Sequence, residues 1–275
     1  MPKKKAQGHL IKPPRKPPTA IGTSFPSGSA GDSSAIQTGN LAAFSGPRGS
    51  GKSTLAFFTA LAWSLLKNRQ TLFATFDMAA WKDLCSRYKL GQSPVLVELA
   101  RPSLSARVIA GGPGVISVGP KVSRIVGLPQ DVIWSQLGMV SRSHDIFFDV
   151  DRRSILEHGG SGSLPLEGPV LKKCENIFWT VDSSDPDALA TSQADFQRLA
   201  GIGVPLHHFH VVLNDLHGKG QSPESGALKK LLGQVGKSNV VLVERFPVDE
   251  MKLPASCVNA LREILRLLER SNPAL

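Results

Sequence analysis

The sequence predicts an α/β fold, a mostly parallel sheet of seven to eight strands flanked by helices. Three observations lead there. Short, nearly continuous apolar runs recur between residues 41 and 243, and helix-length segments separate them. A complete glycine-rich phosphate-loop motif joins the first apolar run to the first helical segment. Parallel strands covered on both faces read as unbroken apolar runs, and strand–helix alternation implies right-handed crossovers between them.

The first 40 residues stand apart. They hold six basic residues, Lys3, Lys4, Lys5, Lys12, Arg15 and Lys16, against one acid, Asp32, and carry six prolines, five glycines and five serines. Such a segment buries too little apolar surface to offset its chain entropy. Residues 1–40 therefore read as a disordered basic Pro/Gly/Ser-rich tail, and 41–275 as one folded domain. The whole chain carries +10, half of it in the tail. That charge suits a contact arm for an anionic membrane surface, DNA or an acidic partner, and equally a solvated leader with no contact of its own.

From residue 41 the candidate strands are 41–45, 71–76, 115–118, 146–149, 177–181, 209–213 and 240–243. Helical spacing marks 53–67, 186–200 and 258–270. The last of these places apolar residues at 258, 261, 264, 265 and 268, a stripe that packs on a sheet more readily than on a membrane surface. Residues 91–115 are rich in Pro and Gly and receive no assignment.

Composition excludes several classes. Hydrophobic side chains make up 41% of the 275 residues, too many for a wholly disordered chain. The three cysteines, Cys85, Cys174 and Cys257, lie far apart, which rules out a disulfide-stapled scaffold, and no Cys-x-x-Cys pair suggests zinc. The longest apolar-rich stretch, 55–66, falls short of the ~20 residues that span a bilayer. The basic N-terminus is not followed by an apolar stretch, so it does not read as a secretory signal. The expected setting is the cytoplasm.

Chemistry concentrates in Gly46-Pro47-Arg48-Gly49-Ser50-Gly51-Lys52-Ser53-Thr54, which fits G-x-x-x-x-G-K-[ST] in full. Glycines let backbone N–H groups curl around a phosphate, and the following helix adds partial positive charge at its N-terminus. Gly46, Arg48, Gly49, Ser50 and Gly51 are expected around the phosphates. Lys52 is expected on the β- and γ-phosphates, Ser53 on Mg²⁺ and Thr54 on the α-phosphate. Mg²⁺ takes oxygen ligands, so carboxylates at strand ends come next. Asp149 closes the apolar run Ile146-Phe147-Phe148, with Asp151 its rival for the metal side; Asp77 closes the run 71–76. The pair His207-His208 with His210 has no neighbouring acid or thiol in sequence and is not read as a metal site. A single tyrosine, Tyr88, speaks against a base-stacking nucleic-acid platform.

With these residues in this order, the chain resembles the MinD/ParA family of P-loop ATPases, and within it the CpaE/TadZ-like proteins of tight-adherence pilus assembly. The resemblance covers roughly 40–270. Besides the loop it rests on Phe76-Asp77-Met78 through Asp83-Leu84 to Leu90-Gly91, and on Gly114-Val115-Ile116-Ser117-Val118-Gly119-Pro120. Further on it rests on Phe148-Asp149-Val150-Asp151-Arg152, on 175–181 with Ser183-Ser184-Asp185-Pro186, on Gly201–Pro205 with Val211–Asn214, and on Arg245-Phe246-Pro247-Val248-Asp249. It implies that Asn214 recognises adenine, that Pro247 and Asp249 line the base pocket, that Asp77 orients the attacking water, and that Asp149 holds the metal's water shell. It also implies an ATP-dependent homodimer, partners in a pilus or secretion machine, and recruitment to the inner face of the membrane or a cell pole.

Two positions depart from the family. Its signature lysine falls at Pro47, which has no donor to offer, and its first strand-two carboxylate falls at Thr75. Arg48 is one position off, and arginine does not simply replace lysine at such sites. The combined expectation is ATP binding with slow hydrolysis. The alternatives are a ParA-like partition or positioning ATPase that binds DNA non-specifically, and a nucleotide-bound scaffold that does not hydrolyse.

Overall fold

The computed structural model describes residues 39–67, 70–75, 82–84, 86, 107–108, 114–117, 138, 140–152, 167–215, 226–235, 240–244 and 255–271. The chain divides into two units, Met1–Ala35 and Ile36–Leu275, and every described residue belongs to the second. Asp77, Pro247, Asp249, Cys85 and the tail's basic residues lie outside the described residues.

The elements follow in chain order: β1 (Leu41–Ser45), α1 (Lys52–Leu66), β2 (Gln70–Thr75), β3 (Arg107–Val108), β4 (Gly114–Ser117), β5 (His144–Asp149), α2 (Glu167–Lys173), β6 (Asn176–Asp182), α3 (Pro186–Gly201), a 3₁₀ turn (Leu206–His208), β7 (Phe209–Asp215), α4 (Gly226–Val235), β8 (Val240–Glu244) and α5 (Ala255–Ser271). The strands form one eight-stranded sheet in the order β3-β4-β2-β5-β1-β6-β7-β8. Seven run parallel, and only the two-residue β3 pairs antiparallel with its neighbour. All seven predicted strands are present within one or two residues of their expected ends among the described residues.

Each central strand sends alternate side chains to opposite faces. Ala43, Ile146, Phe148, Ile177, Trp179 and Phe209 join Phe196 and Leu199 of α3 on one side. Ala42, Phe44, Phe147, Phe178 and Val212 join Phe57 and Trp63 of α1 and Ile264 and Leu268 of α5 on the other. Both faces are covered, so both parities of each strand are apolar. The stripe on α5 is buried in this second layer through Leu261, Ile264, Leu265 and Leu268, while Arg262, Arg266 and Arg270 face outward. Among the described residues no helix is long and apolar enough to cross a membrane.

Local signals set the helix ends. Asp185 caps α3, its Oδ1 accepting from the N–H groups of Asp187 at 2.9 Å and Ala188 at 3.1 Å, with Pro186 in the first turn. At the amino edge of the sheet the fully buried Asp145 carboxylate accepts from the Asn40 N–H at 2.8 Å and from Trp63 Nε1 at 2.7 Å. Asn40, the last residue of the segment read as tail, is thus already packed against β5, and the bond locks the entry to β1 and the far end of α1 to one carboxylate.

Strand β1 lies between β5 and β6, although β2 follows it in sequence. Its carboxyl end is therefore where the chain's crossovers diverge, the place where open α/β sheets take ligands.

Candidate functional site

The loop 46–51 leaves β1 and turns into α1 at that edge. Gly46 has φ 143°, and a β-carbon there would stand 2.1 Å from the Thr180 carbonyl oxygen of β6. Only glycine lets the loop pass so close to the neighbouring strand. Gly51, at the N-cap of α1, is left-handed at φ 85° and makes the last turn into the helix. Pro47 is half-buried, and Arg48 and Gly49 are exposed. Ser50 is buried, with no hydrogen-bond partner at its hydroxyl among the described residues.

Lys52 and Ser53 open the helix, and Thr54 follows half-buried. Lys52 is 7% exposed, and its ammonium lies 3.1 Å from Asp149 Oδ1 and donates to Ser53 Oγ, also at 3.1 Å. Asp149 is fully buried at the end of β5, and its Oδ2 accepts from Thr75 Oγ1 at 3.0 Å. The sheet register explains the contact: Asp149 is the direct cross-strand partner of Thr75 on β2 and of Phe44 on β1. Asp149 meets Lys52, while Asp151 sits half-buried two residues further on. The chain beyond Asp149 is fastened as well. The Val150 N–H donates to the Phe44 carbonyl at 2.9 Å, Ser45 Oγ donates to the Val150 carbonyl at 3.2 Å, and the Arg152 guanidinium makes a two-pronged ion pair with the buried Asp195 of α3, one prong at 2.8 Å.

On the other side of β1, Asn214 is the next-to-last residue of β7, in register with Asp182 of β6. The residue is 2% exposed, and its Nδ2 donates to the Ser50 carbonyl of the phosphate loop at 3.0 Å. The site thus joins, through contacts that span up to 164 positions of the chain, one cation, one carboxylate, two hydroxyls and an amide around the mouth of a helix. Sequence reasoning singled out Gly46 through Thr54, Asp149 and Asn214, and all of these gather here. Thr75 was noted only as a departure from a pattern. Its role follows from the β2–β5 register, and no local sequence signal carries that. The Gly46–Thr180 approach had a signal in the obligatory glycine, but its partner strand had none.

A divalent cation fits this donor set. Ser53 Oγ and Asp149 Oδ1 already share one positive charge, the Lys52 ammonium, at equal distances. Hard oxygen donors of this kind suit Mg²⁺ when nucleotide phosphates complete its shell. Among the described residues, His208 and His210 bond away from the phosphate loop. His208 Nδ1 lies 3.0 Å from the Cys174 carbonyl, and His210 Nε2 lies 3.0 Å from Asn176 Oδ1. Burial pushes the His210 imidazole down to about 4, with His208 adding to the effect.

No protein-family pattern and no curated protein matches the chain by sequence. Solved structures do match in shape. A ParA family ATPase from Chlorobium tepidum TLS aligns at 16% identity with TM-score 0.56, covering 86% of this chain and 93% of that one. The MinD of a MinC:MinD cell division protein complex from Aquifex aeolicus aligns at 10% identity with TM-score 0.54, covering 83% and 96%. A McdA–ATP complex from Cyanothece aligns at 16% identity with TM-score 0.50, covering 87% and 92%. The parallel sheet, its strand order and the loop between β1 and α1 give this chain the fold of the ParA/MinD-type P-loop ATPases.

Proposed function

We infer that this protein binds ATP with Mg²⁺ at loop 46–54 and hydrolyses it slowly, as a ParA/MinD-like switch that positions or assembles a larger cargo. The observation that carries this reading is the contact of Lys52 with Asp149 beneath a complete phosphate loop. A buried ammonium held by a buried carboxylate is poised for exchange: arriving phosphate oxygens offer Lys52 a stronger anion, and Asp149 is released toward the cation side of the site. Ser53 and Asp149 would then hold Mg²⁺, which when bound neutralises charge on the β- and γ-phosphate oxygens. The loop N–H groups and the α1 N-terminus cradle the phosphates. Asp77 is assigned to the attacking water, Thr54 to the α-phosphate, and Asn214, Pro247 and Asp249 to the base.

Slow turnover follows from Pro47. A family member donates a lysine from this position across an ATP-bound dimer, and proline has nothing to donate. Arg48 is exposed next to it and is the only basic side chain within the loop that could face a second copy. The narrower assignment is a cytoplasmic assembly or localisation factor for a tight-adherence pilus or related secretion machine, recruited to the membrane's inner face or a pole. It rests on the sequence segments that resemble CpaE/TadZ-like proteins. A ParA-like positioning role on DNA is the second reading, favoured by the +10 charge and the basic 1–16 segment.

Calorimetric titration with ATP and GTP, with Mg²⁺ and with EDTA, tests the nucleotide reading. Binding of ATP over GTP, tighter with Mg²⁺, is expected; absence of nucleotide binding by the wild type would sink it. Deleting residues 1–35 separates the cargo readings. Loss of salt-sensitive DNA binding with ATP affinity intact supports the DNA role, and equal DNA binding by both forms removes it.

A further inference from the structure

We propose that Asn214 is a positioning residue of the phosphate loop: its side-chain amide holds the Ser50–Gly51 peptide in the orientation that binds anions, whatever base is attached. The inference rests on the nucleotide reading above and deepens it, because the resemblance assigns Asn214 to adenine alone.

The geometry is specific. Asn214 Nδ2 donates to the Ser50 carbonyl at 3.0 Å, with the amide buried and 164 residues of chain between the two. A trans peptide is planar, and its C=O and N–H point in opposite directions. Capturing the Ser50 oxygen therefore fixes the direction of the Gly51 N–H, one of the loop's donors. That peptide needs a lock. Gly51 has no β-carbon and sits at φ 85°, so rotation of the 50–51 peptide meets little steric resistance. A flipped peptide would present the Ser50 oxygen where the N–H stands, and an oxygen repels phosphate. Asn214 itself is well held. It lies in β7 between Asp182 of β6 and Val243 of β8, and its own carbonyl accepts from the Ser183 N–H at 3.0 Å. A rigid strand end thus braces a loop whose glycines leave it free to rearrange.

Tripolyphosphate, which has no base, separates the two roles. Its affinity and that of ATP are measured by calorimetry for the wild type, Asn214→Ala and Asn214→Asp. Asp keeps the size of Asn but loses the donor and opposes one oxygen with another. The thermal midpoint of unliganded protein reports general damage separately. A roughly tenfold loss of tripolyphosphate affinity in Asn214→Ala, the size of one lost hydrogen bond, and a larger loss in Asn214→Asp, at an unchanged midpoint, are expected. Unchanged tripolyphosphate affinity with weakened ATP binding would overturn the inference and leave Asn214 as a base reader. A wild type that binds neither ligand would overturn the nucleotide reading and this inference with it. If both variants fail to fold, the wild type decides. Asn214 side-chain amide protons that exchange slowly with tripolyphosphate bound support the brace, and rapid exchange overturns it.

Discussion

Lys52 Nζ and Asp149 Oδ1 lie 3.1 Å apart, with the lysine side chain 8% and the aspartate side chain 0% exposed. A buried pair of this kind is weak evidence of net stability, because each ion has lost its water. Its importance is that neither member can be removed alone without leaving a buried charge. Thr75 adds a donor on the second carboxylate oxygen, so Asp149 is held from two strands and one helix.

Removing the cation alone is predicted to be costly. Lys52→Ala should lower unfolding free energy by about 3 kcal/mol, as expected when a buried ion pair loses one member. Lys52→Ala/Asp149→Asn should recover much of that, since the orphaned charge is gone. Urea unfolding of the two variants and the wild type checks it; a double variant no more stable than Lys52→Ala would contradict the pairing. Both variants should lose ATP binding.

Thr75→Val keeps the shape and deletes the hydroxyl. Stability should fall by about 1–3 kcal/mol, because an accepted bond to a buried carboxylate is lost, and Mg²⁺-dependent ATP affinity should weaken more than affinity measured with EDTA. Thr75→Ser should restore both. Equal weakening with and without Mg²⁺ would show that Thr75 does not act through Asp149.

Gly46→Ala should destabilise the fold by about 2 kcal/mol or more. The new β-carbon would stand 2.1 Å from the Thr180 carbonyl, and backbone rather than a flexible side chain would have to shift. Thermal unfolding without nucleotide measures it, and a midpoint equal to wild type would exclude the close approach of loop and β6.

His210 predicts a pH dependence. It is buried and stacked on Phe178, with no partner at Nδ1 among the described residues, and burial lowers it to about 4 from an ordinary value near 6.5. As pH falls through 6.5 the unfolded chain takes the proton first, so the folded state loses relative stability. The loss grows until about pH 4, where the folded imidazole protonates too, and reaches at most about 3 kcal/mol. His210→Phe should remove this component. Denaturant unfolding of both proteins between pH 7 and pH 4 should show stabilities that diverge in that window; parallel curves would refute it.

Turnover should respond to Pro47 and not to Arg48. A cation donated to the γ-phosphate is worth about 10³–10⁵ in rate in related phosphoryl transfers. Pro47→Lys should raise steady-state ATPase about tenfold or more, or promote ATP-dependent dimerisation seen by light scattering. Arg48→Ala should leave the rate unchanged. Fast wild-type turnover that rises with protein concentration and vanishes in Arg48→Ala would show that Arg48 has taken the lysine's role.

By itself the sequence determined what depends on neighbours along the chain. The seven parallel strands were legible because burial on both faces makes runs such as Ile146-Phe147-Phe148 apolar at every position. The phosphate loop was legible because its glycines, Lys52 and Ser53 act within one turn of backbone. Weak local signals hid α2, whose Glu167-Gly168-Pro169 start reads as a breaker, and α4, which begins at Gly226 and carries Gly233 inside it. A two-residue β3 left no pattern to find. Tertiary structure alone decided which side chains meet. Inserting β5 between β1 and β2 sets Thr75 beside Asp149, and bringing β7 to the far side of β6 sets Asn214 under Ser50. Those contacts span 74 and 164 residues. They depend on strand order and register, which arise from the packing of whole elements against one another and leave no trace in the local sequence.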